Sequence, residues 1–455
     1  MRLHRLGLLL GLLAGAAALV AGLVGGSGAG LPAARAQALT GRTERVSVQL
    51  NPDGSFIQAN GASEAVALSG DGRYSVFRSA AANLISGTTD ANNAPDIFFQ
   101  DRQTGLIERV SVDSDGAPAD GASTNPAVSE DGRYTAFQSS ATNLVAGDTN
   151  GVDDVFVRDR DSRQVTRISA ATGGGQASGA SEFPDISADG RYVVFQSAAA
   201  DLVAGDTNGV SDIFLHDRQT GATTRVSLAS DGSQAAGGPL GSRFPAISAD
   251  GRFVAFASDA TNLAAGDTNA AFDIFVRDLQ AGVTTRVSVA SGGAQADDAS
   301  YWPALSGDGR YVAFESFAAN LTLGDTNGLS DIFVHDRQAG TTLRVSVASA
   351  GTQGAADSTG AAISADGQVI AFTSLARLAD DDTNSVADIY VHLRATTETV
   401  LISSDVNGLS ANNDSQGPAL SANGRYLAFE SLASDLVPAD TNGLSDVFFH
   451  DRAAN

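Results

Sequence analysis

The side chains best suited to chemistry lie on a short phrase, D-T-N-x-x-x-D, that recurs six times. It places Asp148, Asn150 and Asp154; Asp206, Asn208 and Asp212; Asp267, Asn269 and Asp273; Asp325, Asn327 and Asp331; Asp382, Asn384 and Asp388; and Asp440, Asn442 and Asp446. Three oxygen-bearing side chains within seven positions are a start on the six to eight oxygens that Ca²⁺ takes. The phrase has no ligand at its fifth position, its Gly comes two places early, and Ala270 or Ser385 replaces that Gly in two copies. A purely structural use fits the same residues. Asn-Gly favours a left-handed turn, the first Asp can accept backbone N–H bonds, and the closing Asp can cap the strand that follows. The turn is the leading reading, with weak Ca²⁺ binding as the alternative. A further loop, Thr88 to Asp96, keeps the closing Asp but changes the spacing.

Other chemistries have less support. The chain has no cysteine, which removes thiol chemistry, disulfides and a lipoprotein anchor together. His216, His335, His392 and His450 occupy one repeated position, where Gln100, Arg158 and Arg277 stand elsewhere, so a surface or inter-strand role is expected rather than catalysis. No G-x-S-x-G elbow occurs. Asp217-Arg218 and Asp336-Arg337 read as salt bridges near a turn. Tyr301-Trp302 is the one aromatic singularity, suited to packing between repeats or to stacking on a sugar.

The elements that position these residues repeat as well. Copies of one unit begin at Ser69, Ser129, Ser187, Ser248, Ser306, Ser364 and Ser421, spaced 60, 58, 61, 58, 58 and 57 residues apart. Within the third copy, Phe183–Ser187 leads through an Asp189-Gly190 turn into Arg191–Ser197. A polar loop then reaches Asp212–Asp217, and Thr223–Leu228 closes the unit, predicting four short antiparallel strands. Such units could form a propeller, a sandwich array or a solenoid, and the chain ends decide. The last copy stops after Asp446–Asp451, while Arg42–Val48 (RTERVSV) matches a fourth strand and precedes the first copy. A ring shares one sheet between its ends, which predicts an all-β, seven-bladed propeller closed by an N-terminal strand.

The phrase S-x-D-G-R-Y-x-x-F-x-S followed by D-I-F-x-x-D-R resembles the TolB-like, WD-related propeller repeat over about residues 40–452. The resemblance implies the fold more than a role, since the repeat also serves peptidase propellers and stand-alone secreted proteins. Seven copies without a separate α/β or hydrolase domain set this chain apart from TolB itself and from those peptidases.

Residues 1–38 read as a signal peptide: Arg2, His4 and Arg5, an apolar run from Leu6 to Val24, and Ala34-Arg35-Ala36 as a cleavage pattern, with cleavage after Ala36 or Ala38. An uncleaved anchor is the alternative. The propeller then occupies 39–455, in the periplasm or outside the cell. The net charge of −24 becomes −27 once Arg2, Arg5 and Arg35 leave, which speaks against nucleic acid as a partner. Gly- and Ser-rich connections between blades share a face with the D-T-N loops, and that acidic long-loop face is the expected binding surface. The expectation is a monomeric, non-catalytic binding or scaffold propeller for a protein or glycan, with no membrane span in the mature chain. The alternative is a carbohydrate-active hydrolase or lyase, against which the near-identity of the blades argues, because an active site needs asymmetry.

Overall fold

A computed structural model describes residues 41–453 except 52, 54, 88, 89 and 91, so the predicted signal peptide and its cleavage site lie outside the described residues. In each repeat, alternation of β-branched and aromatic residues builds three six-residue strands and a shorter fourth. In the third blade these are Ser181–Ile186, Tyr192–Ser197, Asp212–Asp217 and Ala222–Arg225, hydrogen-bonded in chain order. Seven such four-stranded sheets are present, and a separate hairpin pairs Val48–Leu50 with Phe56–Gln58. The fourth strand ends sooner than expected. Ser227 bonds the buried Asp212 carboxylate and the chain then turns into the connecting loop, where Leu228 bridges to Gln234.

Ring closure is as the chain ends predict. Arg42–Arg45 pairs antiparallel with Asp446–Asp451, so the seventh sheet contains both the first and the last strand of the described residues. Val46 is fully buried and Val48 nearly so. At the hub, the turns between first and second strands form a closed circle of seven backbone bonds of 2.8–3.0 Å. It runs Gly70, Glu130, Ala188, Ala249, Gly307, Ala365, Ala422 and back to Gly70.

Blades pack through both sheet faces. Ile213 and Leu215 join one inter-blade cluster and Phe214 the other, and each blade stacks a cross-strand aromatic pair such as Phe195 on Phe214 at 6.0 Å. Gly190 must be glycine. Its φ is +70°, and a Cβ there would lie 2.1 Å from the Tyr134 ring of the preceding blade.

Three expectations change. Asp217 does not pair with its neighbour Arg218; Asp217 ends its strand and takes Arg191, which immediately precedes the adjacent strand, at 2.7 Å. Arg218 instead covers the Tyr134 ring at 4.1 Å and binds the Gly190 carbonyl. The histidines take the inter-strand option and not the surface: all four are buried, each Nδ1 2.8–2.9 Å from a threonine hydroxyl on the fourth strand. The connections bury more than their composition suggests, since Ala59, Ala119, Ala177, Ala235, Ala296 and Ala411 are all tucked inside.

Candidate functional site

The blades diverge where their first strands meet at the axis. Each first strand begins with Ser, and in each the register slips between the second and fifth residues, a β-bulge. The bulged third residue has positive φ in every blade: Ala65, Asn125, Phe183, Phe244, Trp302, Gly360 and Gly417. All seven line a central cavity of about 550 Å³. Side chains of the preceding blade hold several bulges in place. Gln196 Oε1 accepts from the Phe244 N–H at 3.1 Å, and Glu430 Oε2 from the Ala65 N–H at 2.7 Å. Proline follows the bulge in five blades, tolerated because this inner strand is a sheet edge and needs no donor there.

The ring of bulged residues is lopsided. Three consecutive blades supply aromatics that converge: Phe244 stacks on Trp302 with centroids 3.7 Å apart, and Phe183 meets both edge-on at 5.3 and 5.7 Å. The opposite side carries Gly360, Gly417 and Ala65. Trp302 remains 42% exposed. The Tyr301-Trp302 pair therefore divides: Tyr301 packs between blades on Phe272 at 5.2 Å, and Trp302 faces the channel.

Two residues further along, the cavity wall reads Ala67, Ala127, Asp185, Ala246, Ala304, Ala362 and Ala419, a single carboxylate among six alanines. Asp185 accepts the Ile186 and Ile247 N–H groups at 2.9 and 2.8 Å, yet burial outweighs those bonds and pushes its carboxyl up to about 6. The asymmetry that near-identical blades were expected to lack is present in this channel.

The D-T-N loops have a built-in cation. In the fifth blade the Arg344 guanidinium lies 3.1 Å from Asp325 and 3.2 Å from Asp331. Arg45 does the same for Asp440 and Asp446 at 2.9 and 3.3 Å, and Arg286 for Asp267 and Asp273 at 3.5 Å each. Arg225 is 3.7 Å from Asp206 and 3.9 Å from Asp212, and Arg167 is 3.7 Å from Asp148. Amides complete these sites. Asn150, Asn208, Asn269, Asn327 and Asn442 each donate to the closing Asp154, Asp212, Asp273, Asp331 and Asp446. Gln176, Gln234, Gln295 and Gln353 donate to the opening Asp of four loops. The sixth loop, with Asp382, Asn384 and Asp388, is built differently. Leu401 stands where the arginine would be, and Tyr390, in place of phenylalanine, donates its hydroxyl to Asp382 at 2.5 Å. Among the described residues, no group of three or more His, Cys, Asp or Glu side chains is arranged to hold a metal.

These environments fix a pH response. Burial raises eleven carboxylates, Asp96 and Asp185 to about 6, Glu315 and Asp388 to about 7, with Asp148, Asp212, Asp267, Asp273, Asp331, Asp440 and Glu430 moved the same way. Their contribution to stability is fully present below the unfolded value of about 4 and is lost as pH rises through each raised value, by about 6 to 7 for Asp96, Asp185, Glu315 and Asp388. Burial lowers the four histidines, His392 and His450 to about 4, which opposes that trend from a smaller number of groups. Arginine-paired Asp278 and Asp336, drawn down to about 2, lose their contribution as pH falls from about 4. Calorimetry across pH 2–8 is expected to show a melting temperature higher at pH 5 than at pH 8, falling again below about pH 3. A profile still rising from pH 5 to 8 would contradict these assignments.

No protein-family model and no curated protein matches this sequence. Solved structures share the fold. An oligogalacturonate lyase in complex with manganese superposes with TM-score 0.54 at 10% identity, covering 90% of this chain and 98% of that one. The β-propeller domain of the Trilobed protease from Pyrococcus furiosus, described as having an open velcro topology, gives TM-score 0.50 at 12% identity over 87% and 95%. TolB from Acinetobacter baumannii gives TM-score 0.37 at 17% identity over 68% of this chain, which spans 64% of that protein's length. The chain is a seven-bladed β-propeller of four-stranded antiparallel blades. It is the architecture that the TolB-like repeat resemblance implies, with the first and last described strands joined in one blade. No helix among the described residues is long and apolar enough to cross a membrane.

Proposed function

We propose that this chain is a monomeric, non-catalytic binding propeller of the bacterial cell envelope or extracellular space, which receives a neutral saccharide in its central channel against Trp302. The observation that carries this reading is the one-sided aromatic wall. Phe244 backs Trp302 and fixes it, a free indole face remains, and Gly360, Gly417 and Ala65 leave room opposite. An apolar cavity with a few polar groups, here Asn125, Asp185 and the indole N–H, has the make-up of a small-ligand site. The net charge of −24 and the Asp185 carboxylate disfavour an anionic ligand. The acidic long-loop face is a weaker candidate than its composition suggested, because the D-T-N carboxylates are largely buried against arginine.

A carbohydrate-active enzyme is the second reading, favoured by the raised Asp185, although glycoside cleavage uses two carboxyl groups. Calorimetric titration of a panel of neutral oligosaccharides, with product analysis on the same samples, decides between them. Binding without turnover, weakened about tenfold or more in Trp302→Ala, is expected. Turnover lost in Asp185→Asn would establish the enzyme, and unchanged affinity in Trp302→Ala would remove the channel from either account.

A further inference from the structure

The sixth blade lacks the internal cation its siblings carry. Six blades place arginine on the fourth strand opposite phenylalanine on the third: Arg45, Arg109, Arg167, Arg225, Arg286 and Arg344. Only the sixth pairs Leu401 with Tyr390. The Tyr390 hydroxyl satisfies Asp382 but brings no charge. Ser410 stands where glutamine donates to the opening Asp elsewhere, and it bonds the Thr383 N–H instead.

Asp388 is left incomplete. It is 0% exposed, its Oδ1 accepts from Ser403 at 2.6 Å, and its Oδ2 has no hydrogen-bond partner. That Oδ2 corresponds to the oxygen that Arg45, Arg286 and Arg344 contact on Asp446, Asp273 and Asp331. Exposed Arg377 binds the Thr383 and Asn384 carbonyls rather than either carboxylate.

We propose that the sixth loop binds a divalent hard cation, Ca²⁺ being the probe, between Asp382 and Asp388 at the position the arginine takes in the other blades. Two buried carboxylates without a counter-charge call for either a cation or a proton. The donors are all oxygen, two carboxylates with the Tyr390 hydroxyl and Asn384 at hand, a set suited to Ca²⁺ rather than to softer metals. Five sibling loops, already holding a guanidinium across both or one of their aspartates, are excluded by the same logic. This narrows the six-loop Ca²⁺ reading to one.

The test is calorimetry of the full chain after chelator treatment, at pH 7.5, with Ca²⁺ added to millimolar levels. Wild type is expected to gain about 2–4 °C in melting temperature. Leu401→Arg is expected to melt higher than the chelated wild type and to lose the Ca²⁺ response. Asp388→Asn, nearly isosteric, should lose the response as well, which keeps the test decisive if the arginine does not fit. No shift in wild type, or a shift that persists in both variants, overturns the proposal. In the first case, a fall in stability from pH 5 to pH 8 that is smaller in Asp388→Asn than in wild type would assign the site to a proton instead.

Discussion

A chain beginning at Gln49 is expected to lose its folded state at 37 °C, whereas one beginning at Gly41 serves as the intact reference. The deletion removes the strand Arg42–Arg45 from its pairing with Asp446–Asp451 and takes Val46 and Val48 out of their buried sites. Area bookkeeping gives about 1.5–3 kcal/mol for each valine. The loss of Arg45 leaves Asp440 and Asp446 buried without their guanidinium, worth about 3–5 kcal/mol more. Together these rival the whole stability of about 5–15 kcal/mol typical of a domain. The bared edge of Asp446–Asp451 would also invite pairing between molecules. Circular dichroism melting and size-exclusion chromatography read both effects. A truncated chain that melts within about 2 °C of the reference would mean that the ring does not depend on its N-terminal strand.

The second large effect is expected at Arg344. Replacing it by leucine reproduces half of the sixth blade's pattern in the fifth and leaves Asp325 and Asp331 buried with no counter-charge. The loss is about 3–5 kcal/mol at pH 7.5 by urea unfolding, shrinking at pH 5 as a carboxyl takes up a proton. Adding Phe333→Tyr completes the sixth-blade pattern, since its hydroxyl would stand to Asp325 as Tyr390 stands to Asp382. It should return about 1.5 kcal/mol or more, the worth of a hydrogen bond to a charged group. A single variant as stable as wild type would show that the guanidinium contributes nothing, and a double variant weaker than the single would show that the tyrosine is no substitute.

What could be read from residues alone followed from their periodicity. The Asp-Gly turns, the alternation in segments such as Asp212–Asp217, and the fourth strand displaced to the N-terminus were visible because each recurs at a fixed offset. The channel was hidden for the opposite reason. Its residues occupy the columns that vary, and the bulge breaks the two-residue alternation, so the faces of Phe183, Phe244 and Trp302 do not follow from counting. Aligning the seven first strands column by column gives the missing signal, with large and small residues in the third column and Asp185 alone among alanines in the fifth. The sixth blade's exchange of Phe and Arg for Tyr390 and Leu401 is legible the same way. Its meaning is not, because only the register across two strands shows that the arginine belongs to the D-T-N loop. The Asp217–Arg191 pair was missed because adjacency in sequence places Arg218 on the other face.

Trp302 is the single tryptophan of the chain, so its emission reports on the channel without labelling. The most direct measurement follows that emission during titration with the neutral oligosaccharides, alongside calorimetry on the same samples. A saccharide that binds is predicted to shift or quench the emission in step with the heat released, with Asp185→Asn changing the affinity and the fold intact. A saccharide that binds with full heat while the Trp302 emission stays unchanged would place the site elsewhere and contradict the account.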